Sequence, residues 1–162
     1  MCVTTALDVD AGFVEIRDAE TSEVDVLEDV MRRASLVWEE YRDDLLAHPD
    51  VIDVPLRDIE DGNVRVATGL LRVLGFSSLV AGRREGAAEL DGLFVDPAFM
   101  RRGIGRALVH DARVLARSRG CRRIEVTANP RAVEFYVKMG FVDDGVEQTQ
   151  FGQGLRMHAD VT

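Results

Sequence analysis

The stretch Val95-Asp-Pro-Ala-Phe-Met-Arg-Arg-Gly-Ile-Gly-Arg-Ala107 decides how this 162-residue chain is read. An apolar run, Leu93-Phe94-Val95, stops at Asp96-Pro97, and Gly105 leads straight into a helical pattern. Gly103 and Gly105, lacking side chains, let the backbone come close to a ligand. The first N–H groups of a helix have no internal partner and carry about half a positive charge. A strand, a glycine turn and a helix start in this order are suited to phosphate. Arg101, Arg102 and Arg106 add full charges beside the turn. The expected ligand is a phosphate-bearing small molecule.

Outward from this turn the pattern is that of an α/β chain. Downstream, Ile104 to Arg119 reads as a helix with Ile104, Leu108, Ala112 and Leu115 facing inward. Arg106, His110, Arg113 and Arg117 form a stripe on its outer face, expected to be solvated, and Gly120 ends it. Arg122–Ala128 is the next strand. Asn129-Pro130 supplies a cap and a first-turn proline for a short helix reaching Met139. Strands near 141–145 and 155–159 finish the chain. Upstream, Ala87–Val95 is a strand with Gly92 inside it, where a lone glycine marks a bulge.

A hairpin is expected from 64–67 and 71–80. The acidic stretch 50–61 reads as a loop, and Val37–Ala47 as a helix ended by His48-Pro49. Thr21 or Ser22 caps a helix through Val24, Leu27, Val30, Met31 and Ala34, whose spacing gives one apolar face. Phe13–Arg17 alternates as a first strand, and residues 1–11 read as a loose, flexible tail ahead of a domain over 12–162. The order β-α-α-β-β-β-α-β-α-β-β predicts a mixed central sheet flanked by helices on both faces.

Composition bounds the function. The net charge of −9 is uneven: residues 1–62 hold 18 acids against 5 bases, whereas residues 63–162 hold 11 against 15. The basic half holds the glycine turn, which places the anionic ligand there. The acidic half repels nucleic acid and favours a cationic partner, although acidic surface also serves solubility alone. Cys2 and Cys121 lie in no metal, redox or disulfide spacing. His48, His110 and His158 sit on separate elements without ligand spacing, so no metal is expected. No signal peptide or membrane span is visible, and the expected location is cytoplasmic.

Two phosphate-binding patterns fit poorly. A dinucleotide fingerprint needs a third glycine where Leu108 stands, and its acid, at the distance of Glu125, would close a strand rather than lie within one. A Walker loop needs Gly-Lys-Ser/Thr, which is missing. A third pattern fits better. Leu-Phe-Val-Asp-Pro, Arg-Arg-Gly-Ile-Gly-Arg-Ala-Leu and Asn129-Pro-Arg-Ala-Val-Glu-Phe-Tyr-Val-Lys-Met-Gly-Phe141, in this order, resemble the GNAT superfamily of acetyl-CoA-dependent N-acetyltransferases. The resemblance covers about residues 87–145, and the N-terminal half agrees only in its order of elements. Met100 departs from the family, whose first turn residue is Arg or Gln. The turn works mainly through backbone donors, so the departure matters little.

The resemblance implies a single-domain GNAT fold and transfer of an acetyl group from acetyl-CoA to a primary amine by direct attack. The N–H groups of Arg101, Arg102, Gly103, Ile104, Gly105 and Arg106 would hold the diphosphate. Leu93, Phe94 and Val95 would pair with the pantetheine arm, which Asn129 would touch. Tyr136 takes the family's general-acid position, beside a packing role for the same ring. Glu89 and Glu125 are candidate bases, Glu89 slightly favoured and Asp91 weaker, against an ion-paired structural role. The suspected bulge leaves the direction of Glu89 open. Trp38 and Tyr41 either line the acceptor pocket or pack in the core. A non-catalytic acyl-CoA sensor is the competing class, and pairing into a homodimer is compatible with the resemblance.

Overall fold

The computed structural model describes residues 3–9 and 12–161. Its chain divides into two compact units, one of residues 1–78 and 92–108, the other of 79–91 and 109–162.

In the first unit β-strands pair antiparallel in chain order. Strand β1 (Val3–Val9) pairs β2 (Gly12–Asp18), which pairs β3 (Val64–Gly69), which pairs β4 (Arg72–Ala81). The alternation read at Phe13–Arg17 is real: Phe13 is exposed while Val14 and Ile16 are buried. Residues 3–9, read as part of a loose tail, instead form β1. The segment has no regular apolar period, and pairing with β2 makes it a strand. Cys2, Asp10 and Ala11 lie outside the described residues.

Helix α1 (Val24–Leu36) buries Leu27, Val30 and Ala34, as the apolar spacing requires. Its approach is set earlier than expected. The Glu20 N–H donates to the Glu23 carboxylate at 2.8 Å, and a 3-10 turn over Thr21–Glu23 precedes the helix. Thr21 and Ser22 therefore sit inside that turn rather than cap it. Helix α2 (Glu39–Ala47) ends at His48-Pro49 as read. The stretch 50–61 is not all loop: it holds the end of a 3-10 turn (Pro49–Val51) and helix α3 (Leu56–Glu60), which buries Ile59, while Ile52 and Val54 are buried between them. Apolar residues spaced among the acids outweigh the acidic composition.

In the second unit the first residues of β5 (Ala87–Val95) pair parallel with β6 (Arg123–Ala128). Strand β6 pairs antiparallel with β8 (Gly152–Asp160), which pairs antiparallel with β7 (Val142–Thr149). The sheet is thus mixed, in an α/β domain. Ile124, Val126, Ala128, Met157 and Ala159 are buried, and the residues between them carry the polar groups. Helix α4 (Ile104–Ser118) contributes to both units, and α5 (Val133–Lys138) belongs to the second. Arg113 and Arg117 do not form a freely solvated stripe. Arg113 donates to the Met139 carbonyl and lies 5.4 Å from the Phe141 ring centre, and Arg117 Nε donates to the Val161 carbonyl at 2.8 Å. Unpaired carbonyls at the ends of α5 and β8 recruit these cations.

Candidate functional site

The first unit brings Leu93, Phe94 and Val95 together with Arg101–Arg106. Leu93 and Val95 pack beside Ile104, Leu74 and Val14, while Phe94 meets Phe76 with ring centres 5.2 Å apart. Alternation along the strand sends these side chains to opposite faces. Gly75 makes the close approach possible: a Cβ there would lie 2.7 Å from the Phe94 carbonyl oxygen and 3.2 Å from the Val95 Cα.

Asp96 closes the strand and fixes the turn. Its N–H donates to the Leu74 carbonyl at 2.8 Å, and its fully buried carboxylate accepts from the Ala98 N–H at 3.0 Å. Arg33 of α1 and Arg72 of β4 place guanidinium nitrogens 2.9 Å and 3.1 Å from its oxygens. Burial pushes this carboxyl up, but the Ala98 amide and the arginines outweigh it and hold Asp96 below the usual aspartate value. Arg72 and Arg102 both lie against the Phe99 ring, 4.9 Å and 5.5 Å from its centre. None of Arg33, Arg72 or Asp96 is evident as a partner set from sequence, because their separations exceed any local pattern. The Asp-Pro dipeptide was the one visible signal.

The turn that follows has an unusual backbone. Arg101 has φ +62° and Gly103 has φ +83°. Left-handed residues in such a run turn successive N–H groups toward one concavity, which favours an anion. A non-glycine residue at positive φ is costly and clusters at functional sites. The Ala107 N–H donates to the Gly103 carbonyl at 3.0 Å. The earlier N–H groups, at the start of α4, lie before any i−4 acceptor within the helix. Arg101, Arg102 and Arg106 are exposed around them. The residues present therefore suit a diphosphate. An open cleft beside the turn is lined by Arg33, Leu36, Val37, Arg42 and Asp96–Ala98. Trp38 and Tyr41, next to that lining, are half-buried.

The second unit holds Glu89, Glu125, Asn129 and Tyr136, and it brings Glu89 and Glu125 together. Glu89 and Glu125 are register partners on the parallel strands β5 and β6. Strand β8 carries Arg156, a residue sequence reasoning missed because it takes an ordinary polar position between Leu155 and Met157. Arg156 grips Glu89 with both nitrogens, at 2.5 Å and 3.1 Å, and reaches Glu125 at 2.8 Å and the Thr127 hydroxyl at 2.9 Å. The direction of Glu89 is thereby fixed, on the face it shares with Glu125. Glu125 is 2% exposed and also faces Arg123 at 3.1 Å and Arg84 at 3.6 Å. Thr127 in turn donates to Glu147, which Arg83 holds at 2.6 Å. The bond to Glu89 raises the Arg156 guanidinium above its ordinary value.

Tyr136 is buried, edge-on to Phe135 and Phe141 with ring centres 5.1 Å and 5.3 Å away. Burial pushes its hydroxyl well above the ordinary tyrosine value, so it keeps its proton. Asn129 accepts from the Arg131 N–H at 2.9 Å and caps the turn into α5, as its pairing with Pro130 predicts. Among the described residues no group of three or more His, Cys, Asp or Glu is arranged to hold a metal ion. His158 pairs with Asp144 at 2.6 Å, and Cys121 is a free thiol.

The chain matches the Acetyltransferase (GNAT) family over residues 15–141 and belongs to that family. Over 62 residues it is 44% identical to an uncharacterized N-acetyltransferase of Methanocaldococcus jannaschii, covering 36% of this chain and 27% of that one. Over 77 residues it is 31% identical to glucosamine 6-phosphate N-acetyltransferase of Trypanosoma brucei brucei, covering 43% of this chain and 51% of that one. The matches thus span about half or less of these relatives' length. The PaiA N-acetyltransferase of Thermoplasma acidophilum, solved in complex with coenzyme A, shares the fold. Its TM-score is 0.71 at 22% identity, covering 91% of this chain and 98% of that one.

Proposed function

We propose that this protein transfers the acetyl group of acetyl-CoA to a primary amine by direct attack. The observation that carries the reading is the left-handed turn at Arg101 and Gly103, ringed by three arginines, in a chain of the GNAT family. In this reading the N–H groups from Arg101 to Arg106 bind the diphosphate. The strand edge at Leu93, Phe94 and Val95 pairs with the pantetheine arm, and Asn129 touches it. A carboxylate, Glu89 or Glu125, takes a proton from the ammonium, directly or through water. The freed nitrogen attacks the thioester carbonyl, the C–S bond breaks, and the Tyr136 O–H protonates the departing sulfur, while the second proton shed by the nitrogen returns through water to the Tyr136 oxygen. Burial keeps the Tyr136 hydroxyl protonated, so it carries the proton this step donates, as a weaker acid than a free tyrosine.

The acceptor follows from charge. The acidic N-terminal half favours a cationic amine, small or protein-borne. No helix among the described residues is long and apolar enough to cross a membrane. A cytoplasmic location and a homodimer belong to the same proposal.

The deciding experiment mixes the protein with acetyl-CoA and a panel of amines and follows thiol release. Amine-dependent release is expected. Binding of acetyl-CoA without release for every amine would make the protein a sensor, and no binding at all would remove the diphosphate site.

A further inference from the structure

The two candidate bases share one arginine but are not equivalent. Glu125 has a 3% exposed side chain, and guanidinium groups stand 2.8, 3.1 and 3.6 Å from its oxygens. Almost wholly buried among three guanidinium groups, the Glu125 carboxylate leaves no room for an amine. The Glu89 side chain is 13% exposed, and of these cations Arg156 alone binds it directly. A bidentate guanidinium occupies two of the roughly four lone-pair sites of a carboxylate and leaves the others for a proton. Arg156 is itself mostly buried, at 14%, and its terminal nitrogens also reach Glu125 and Thr127. Without that guanidinium, two like charges would face each other across register-paired strands.

We infer that Arg156 is a positioning residue of the transfer reaction: anchored on Glu125 and Thr127, it holds Glu89 as the carboxylate that takes the amine proton. The inference rests on the proposed acetyl transfer. The proton passes from the ammonium nitrogen to a Glu89 oxygen, and the nitrogen lone pair so released forms the new C–N bond. Glu125 anchors and does not exchange the proton. The charged groups around Glu89 are Arg156 on β8, Glu125 on β6, Glu147 on β7 and Arg83 in the turn before β5.

The test is the pH dependence of kcat in wild type and four variants, with the acetyl-CoA KM and the melting temperature measured alongside. Glu89→Gln should abolish the acid limb and lower kcat by about a hundredfold or more, in the range of a lost general base. Glu125→Gln should keep the limb. Arg156→Gln should move the limb up by about one pH unit, because loss of the cation leaves like charges facing each other. It should also lower kcat at least about tenfold while the acetyl-CoA KM stays within about twofold, a pattern that a purely structural role would not give. Arg156→Lys, which keeps the charge but not the fork, should restore the limb with only part of kcat, and it carries the test should Arg156→Gln not fold. An acid limb lost in Glu125→Gln rather than Glu89→Gln overturns the inference. So does an unmoved limb with unchanged kcat in Arg156→Gln. A wild-type protein that transfers acetyl while failing these arms overturns this inference alone. A wild-type protein that releases no thiol with any amine overturns the transfer reading and this inference with it.

Discussion

Arg33, in the last turns of α1, places a guanidinium nitrogen 2.9 Å from the carboxylate of Asp96, which is fully buried at the end of β5. The contact joins a helix to a turn across 63 residues of sequence. It holds the residue that begins the descent into the glycine turn, and Arg72 completes the clamp from the neighbouring hairpin.

Asp96→Asn should therefore cost about 1.5 kcal/mol or more at neutral pH, the loss of charge-assisted hydrogen bonds to two half-exposed arginines. The folded carboxyl titrates below its unfolded value, so its stabilisation is present above the ordinary aspartate pKa, about 3.9. It fades as pH falls through the lower folded pKa. Urea unfolding of wild type and variant should converge as pH is lowered through that window. A gap that stays constant with pH would separate the clamp from the charge.

The turn itself is tested at Gly103. With φ at +83°, an alanine there strains the backbone by about 1 kcal/mol or more. Calorimetry should show acetyl-CoA affinity falling about tenfold, with kcat at saturation largely kept. Unchanged affinity would mean that the concavity does not bind the diphosphate.

Tyr136→Phe should lower turnover at least about tenfold while acetyl-CoA KM changes little. The wild-type hydroxyl, pushed up by burial, should add no basic limb to the kcat profile below about pH 10, the ordinary tyrosine range. Wild-type turnover in the variant would remove Tyr136 from the reaction.

The β3–β4 hairpin carries a removable strain. Gly69 pairs Arg72, and the two loop residues, Leu70 and Leu71, have φ +52° and +59° with Leu71 fully exposed. Asn-Gly is the favoured pair for such a loop. The double change Leu70→Asn, Leu71→Gly should stabilise the protein by about 1–2 kcal/mol. A melting temperature that does not rise would show that the strain is already offset by another contact.

The strand, glycine turn and long helix from Leu93 to Ser118 were legible in sequence because each depends on neighbours within a few residues. Periodicity marked the buried faces of α1 and α4, and Asn129-Pro130 marked its own cap. The family, and with it the expectation of acetyl-CoA, followed from two such local signatures. What sequence could not supply were the partners. Strand β1 forms because β2 pairs with it, and α3 because Ile59 is buried. Arg33 and Arg72 meet Asp96, and Arg156 meets Glu89 and Glu125, because packing brings together residues 24 to 67 positions apart. Local conformational preference is written along the chain. Which charge neutralises which is settled only where burial makes an unpaired charge too costly to keep.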